Sequence, residues 1–90
     1  MTDQGSVIIK SNAMEDRELT FGEQAVGLNF NPGGNEKVNE LKALYAKIID
    51  LCADLRKDCT PEQGERSRYL SVAITEAQTA QMWAVKGITK

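Results

Sequence analysis

The sequence predicts an all-α fold: an antiparallel helical hairpin of two long helices, preceded by a short N-terminal helix and a loop, and assembled as a homo-oligomer. Three observations point there. Apolar residues repeat every seven positions through 36–57. A strong helix-start signal, Thr60-Pro61-Glu62-Gln63, follows only a few residues later. Finally, YLSVAITEAQTAQMWAV at 69–85 has helical character, nearly five turns at 3.6 residues each, yet carries a single charged residue, Glu76.

The first element is short. Within LTFGEQAV (19–26), Thr20 and Glu23 stand three apart in the pattern of a capping box, while Gly22 weakens the helix. GLNFNPGGN (27–35) holds three glycines, one proline and three asparagines, which rules out a regular element and makes it a shaped loop. Asn35 is a good N-cap for the first long helix, about Glu36 to Lys57. There Val38, Tyr45 and Cys52 form one heptad series and Leu41, Ile48 and Leu55 another, a seam that Leu44, Ile49 and Leu51 widen. Lys37, Glu40, Lys47, Asp50, Asp54 and Lys57 take the other side.

After a turn at Asp58-Cys59-Thr60, the second long helix begins with Thr60 as N-cap, Pro61 in first place and Gln63 in third. It runs to about Lys86, with Gly87 as its stop. So short a turn between long helices implies an antiparallel pair.

The second helix lacks the charged face that a surface helix of a small monomer shows. Ala73, Ala77, Ala80 and Ala84 line one side for close packing, and Val72, Met82 and Trp83 project elsewhere. Left bare, those side chains make a larger apolar patch than monomers usually tolerate. Burying each gains roughly 1.5–3 kcal/mol, enough in sum to drive association of subunits. The alternative is that the N-terminal third folds back over them.

Composition sets further bounds. Ninety residues make one small domain, 41% hydrophobic and 27% charged. Residues 1–15 are weakly patterned and read as a flexible arm, in which Val7, Ile8 and Ile9 pair as a strand or order in an assembly; residues 16–90 form the hairpin domain. Thirteen acids against eleven bases leave a net charge of -2, without the basic field that grips polymeric DNA or RNA. The chain has no His, so Cys52 and Cys59 cannot complete the usual zinc set, and no metal or other cofactor is expected. Cys52 reads as a core residue and Cys59 as a loop thiol, in a reducing compartment. The start, MTDQGSVIIKS, has neither signal-peptide nor membrane-span character, so a protein of the cytoplasm without membrane attachment is expected.

Catalysis is not expected. The chain has no GxSxG, no phosphate-loop Gly-Lys-Ser/Thr pattern and no carboxylate pair in its apolar region; Glu76 is the one interior candidate, and a lone acid there reads as structure. Ligand binding has better support. Phe30-Asn31-Pro32-Gly33-Gly34-Asn35 leads into a helix N-terminus, where backbone N–H groups suit phosphate oxygens and Phe30 can stack on a base. Equally open is a plain turn with Asn35 capping and Phe30 packed in the core. Arg66 and Arg68, early in the second helix, suit bidentate phosphate contact or stacking; their alternative is pairing with Glu62 and Glu65. Lys42 and Tyr45 lie one turn apart beside the seam, where Lys42 points into an intersubunit groove or snorkels to solvent. Thr75 and Gln78, polar and uncharged, are candidates to face pockets between protomers.

AVGLNFNPGGN, VNELKALYAKIIDL and SVAITEAQTAQMWAVKGIT together resemble the small phage proteins that share the anti-CBASS protein 2 and Thoeris anti-defence 1 helical hairpin domain, over roughly 17–90. The resemblance implies a non-enzymatic sponge: a compact homo-oligomer, typically a hexamer, that holds cyclic nucleotide messengers of bacterial immunity between protomers. It would act in the cytoplasm of the infected bacterial host and deny the messenger to its effector. The anti-CBASS branch implies cyclic di- and trinucleotides as ligands, and the anti-Thoeris branch cyclic ADP-ribose isomers. Some anti-CBASS members carry a tyrosine before an Arg-acid-Leu stretch and a lysine on the first long helix. Here Asp16 precedes Arg17-Glu18-Leu19, and Lys42 takes the lysine's place. The competing expectation is a helical assembly or adaptor protein that binds a protein partner through the same apolar faces and ignores nucleotides.

Overall fold

A computed structural model describes residues 18–90. The expectations placed on 1–15 and on Asp16 and Arg17 lie outside them. Three helices follow in order: α1, Phe21–Val26; α2, Glu36–Lys57; and α3, Gly64–Ile88, entered through a single 3-10 turn at Pro61–Gln63. No strand occurs among the described residues. The antiparallel hairpin of α2 and α3 is the body of the molecule, and α1 packs mainly on α2.

Local chemistry sets each boundary. At α1 the capping box closes as the sequence predicts: Glu23 N donates to Thr20 Oγ1 (3.0 Å) and Thr20 N to Glu23 Oε1 (2.9 Å). The helix stops after Val26 because Gly27 turns left-handed (φ 63°), which lets Gly27 N donate to Gln24 O and Leu28 N to Glu23 O. Asn35 Oδ1 accepts from Lys37 N (2.8 Å) and Val38 N (3.3 Å), capping α2. Thr60 N donates to Gln63 Oε1 (2.8 Å), half of a second capping box. The C-terminal expectation is corrected slightly: α3 runs through Gly87 to Ile88, and Thr89 then closes it by donating N and Oγ1 to Val85 O (3.0 and 2.9 Å).

Gly22, a weakness when α1 is judged alone, is what docks it. A Cβ there would fall onto the carbonyl of Ala46, so α1 crosses α2 at backbone distance. The crossing is tied by Gly22 N donating to Asp50 Oδ1 (2.7 Å), which corrects the placement of Asp50 on the solvated side. The core is small: Val26, Leu28, Ala46, Ile49 and Ile74, with Leu19, Tyr45, Cys52, Ala53 and Ala77 packed against it.

The heptad seam is corrected in part: its Val38–Tyr45–Cys52 series faces inward, but the Leu41–Ile48–Leu55 series does not stay buried. The buried line on α2 is Val38, Lys42, Ala46 and Ile49, following i, i+4 and i, i+3 steps. Ile48 and Leu55 of the expected seam are exposed, as are Leu44 and Leu51, the last at 60%. The reason is the crossing at Gly22: α1 covers the Lys42–Ala46–Asp50 side and turns the leucine side outward. On α3 the alanine stripe divides similarly. Ala77 and Ala84 are half-buried, Ala73 and Ala80 are exposed, and the fully buried positions are Ile74 and Gln81. Val72, Met82 and Trp83 are exposed (the last two at 65% and 66%), so α1 does not fold over them. Glu76 is exposed rather than interior. Both long helices thus carry a bare apolar face, where the sequence suggested a large one on the second and only a little apolar surface to spare on the first.

Candidate functional site

The candidate site is built around a lysine inside the fold. Lys42 is only 4% exposed. Its ammonium donates to Gly27 O (2.9 Å) and Phe30 O (2.6 Å) and lies 5.5 Å from the centroid of the Phe30 ring. It therefore does not snorkel to solvent; it pins both ends of a short loop to α2. Burial disfavours the charged form and pulls its pKa below the ordinary 10.5. Gly27 O also accepts from Phe30 N (2.9 Å), so the ammonium adds a second donor there and supplies the donor to Phe30 O, and the charge and the loop hold each other in place.

Beyond Phe30 the loop is braced by its own amides. Asn31 Nδ2 donates to Asn35 O (2.8 Å) and Asn39 Oδ1 (2.9 Å), Asn35 N donates to Asn31 Oδ1 (3.3 Å), and Gly34 N to Asn31 O (3.0 Å). Pro32 occupies the second position of that last turn, where its fixed φ is favourable. Asn31 and Asn35 are thus committed to shaping the loop, and the Lys37 and Val38 N–H groups are already capped by Asn35. The unpaired donors expected at the start of α2 are in part occupied. Phe30 settles the other way: its ring is 72% exposed, not packed in the core.

This framework leaves an open cleft of about 540 Å³ between the loop and the end of α3. Phe30, Asn31, Gly33, Asn35 and Lys42 line it, joined by Val85, Ile88 and Thr89, which the sequence reading did not select. Gly34 faces a separate cleft across the loop, with Asn29, Asn31 and Asn39. A third, of about 450 Å³, opens between the end of α1 and α3, and shares Phe30, Lys42 and Val85 with the first.

The other candidates lie elsewhere. Tyr45 is half-buried and packs against the core. Thr75 is exposed and Gln78 half-buried, both midway along α3. Arg66 and Arg68 are exposed at the turn end of the hairpin. The nineteen residues from Arg66 to Val85 place them about 28 Å along α3 from the cleft. Arg68 lies over the Tyr69 ring at 5.3 Å, and neither arginine pairs with Glu62 or Glu65: the ion pair among the described residues is Lys37–Glu40. Arg56 is the cation held at that end, donating to Ser71 Oγ (3.1 Å) and lying 5.8 Å from the Phe21 ring.

Three residues that matter were missed: Gly22, Asp50 and Gln81. Only Gln81 left a trace in the sequence, seven residues after Ile74 on the line that becomes buried. No cluster of three or more His, Cys, Asp or Glu side chains suited to a metal occurs among the described residues. None of the described helices is long and apolar enough to cross a membrane.

Fold and site together define an all-helical hairpin domain whose open end carries a cleft beside an exposed aromatic ring. Residues 23–89 match the family model described as Acb2/Tad1, hairpin domain, and the chain belongs to that family. No curated protein and no solved structure matches it.

Proposed function

We propose that the protein is a non-enzymatic sponge of phage anti-defence, which binds cyclic nucleotide immune messengers and sequesters them intact in the host cytoplasm. Cyclic di- and trinucleotides are the first choice of ligand and cyclic ADP-ribose isomers the second. Family membership over 23–89 supports the anti-defence theme. The observation that carries the reading to chemistry is the cleft where the Lys42 ammonium and the exposed Phe30 ring meet. A compact anionic ring with aromatic bases needs a cation and a stacking surface within a few ångströms of each other.

Assembly belongs to the same reading. The bare faces of α2 (Leu44, Ile48, Leu51, Leu55) and α3 (Val72, Met82, Trp83) suit further copies of the chain, with a hexamer expected. Arg66 and Arg68 lie too far from the cleft to join it within one protomer, so a pocket that uses both ends draws them from a neighbour.

Titration calorimetry with a cyclic dinucleotide, a cyclic trinucleotide and a cyclic ADP-ribose isomer tests the function. Binding at micromolar affinity or tighter to one of them, with intact ligand recovered after denaturation, is the expected result. Silence toward all three removes the reading, and recovery of cleaved ligand makes the protein an enzyme. A single-chain mass by light scattering, with no nucleotide bound, would favour an adaptor for another protein.

A further inference from the structure

Among the described residues, Gln81 is the one buried polar side chain whose presence the fold does not explain. It is 4% exposed and sits on the inward line of α3, yet its carboxamide has no hydrogen-bond partner among the described residues, whereas Lys42, equally buried, donates twice. Buried amides are nearly always bonded, and one left without a partner calls for an explanation. A leucine of similar size would pack there without the polar group.

Its position supplies one. Gln81 forms part of the wall of the cleft of about 450 Å³ between the end of α1 and α3, together with Gly27, Phe30, Lys42 and Met82. That volume lies within the range of about 300–1,000 Å³ usual for small-molecule sites. Phe30 and Met82 are both exposed at its rim, and an aromatic ring with a polarizable thioether makes a surface on which a flat heterocycle can lie. A carboxamide offers a donor and an acceptor side by side and carries no charge. It suits neither phosphate nor metal as well as it suits the edge of a purine; the adenine N6/N7 edge takes both of its bonds at once.

We infer that Gln81 reads the base of the bound ligand, hydrogen-bonding an adenine edge while Phe30 and Met82 flank the ring. This rests on the reading of the chain as a cyclic nucleotide binder and adds a specificity that reading does not contain. Lys42, bonded to Gly27 and Phe30, fixes the loop that carries the Phe30 ring, and Gln81 sets which base is held.

Two measurements test it. In the first, the side-chain amide resonances of Gln81 are followed by NMR while the full chain is titrated with adenosine 5′-monophosphate, then with cyclic di-adenylate. The Gln81 signals are expected to shift with both; signals unmoved at saturation overturn the inference without any variant. In the second, Gln81→Leu is compared with the natural chain for cyclic di-adenylate and cyclic di-uridylate. The natural chain is expected to prefer the adenylate, and the variant to lose at least about tenfold in adenylate affinity and most of that preference, at unchanged mass. Unchanged adenylate affinity in Gln81→Leu, beside normal binding by the natural chain, overturns the role of Gln81 and leaves the sponge standing. If the natural chain binds no cyclic nucleotide but the Gln81 signals follow the monophosphate, the sponge falls and the base site stands.

Discussion

The two ends of the hairpin are built on opposite terms. At the loop end the polar groups answer one another: Lys42 holds Gly27 and Phe30, and Asn31 holds Asn35 and Asn39. At the turn end Arg66 and Arg68 point to solvent, and Arg68 has only the Tyr69 ring beside it. A shape prepared in advance loses little entropy when a ligand arrives, whereas a free arginine must be ordered by whatever binds it. On the proposed function this difference becomes a division of labour, in which the loop end supplies a formed cleft and the turn end supplies charge to a neighbour.

The most direct way to break that picture is to take the neighbour away. Replacing Leu51 and Trp83 together with serine removes two large contacts, each worth roughly 1.5–3 kcal/mol if buried by another copy. The expected outcome by light scattering is a fall from several chains to one, with helical circular dichroism retained; an unchanged mass would show that these faces are not where copies meet.

The next largest effects fall on the docking of α1 and on the loop end. Gly22→Ala pushes a methyl group into the Ala46 carbonyl and undocks α1, for an expected loss of about 1–3 kcal/mol or more by urea unfolding. Lys42→Met leaves Phe30 O without its donor and Gly27 O with only the Phe30 N–H, and costs about 1–3 kcal/mol, together with ligand binding. A Lys42→Met chain as stable as the natural one would mean that the loop holds its own shape.

At the turn end the expected pattern reverses. Arg66→Ala and Arg68→Ala change stability by less than about 0.5 kcal/mol, since nothing in the protomer depends on them. They weaken cyclic nucleotide binding at unchanged mass, and a salt titration of the affinity loses slope. Full affinity in both variants makes the arginines plain surface.

The smallest effect is one of pH. The folded-state pKa of Lys42 is lowered by burial, so the unfolded chain binds its proton more strongly. Stability from this group therefore rises with pH between the lowered value and the ordinary 10.5, and does not fall. The difference between the natural chain and Lys42→Met in thermal midpoint, measured over that alkaline window, carries this slope; a difference that declines as pH rises would contradict it.

Much of the fold was legible in the chain because its signals are local. Thr20 with Glu23, Asn35 before α2, and Thr60-Pro61 before α3 each act on N–H groups within three residues. These signals delimit the elements almost to the residue, and the short turn makes the hairpin antiparallel. The candidate site was legible in part: the loop stood out by composition, and Phe30 and Lys42 by type. Arg66 and Arg68 stood out by type as well, but residue type does not say which end of the hairpin a side chain serves, and α3 carries them about 28 Å from the cleft of their own protomer.

The sequence by itself determined where helices begin, that two of them pair, and that more apolar surface exists than one protomer can cover. Tertiary structure alone decided which side of α2 is inside, that Lys42 ties a loop rather than reaching solvent, and that Gln81 lies buried without a partner among the described residues. The reason is physical. Caps and periodicity depend on neighbours a few residues away, whereas the choice of buried face turns on one non-local event, the close crossing of α1 at Gly22 over Ala46. No periodicity within α2 records that crossing.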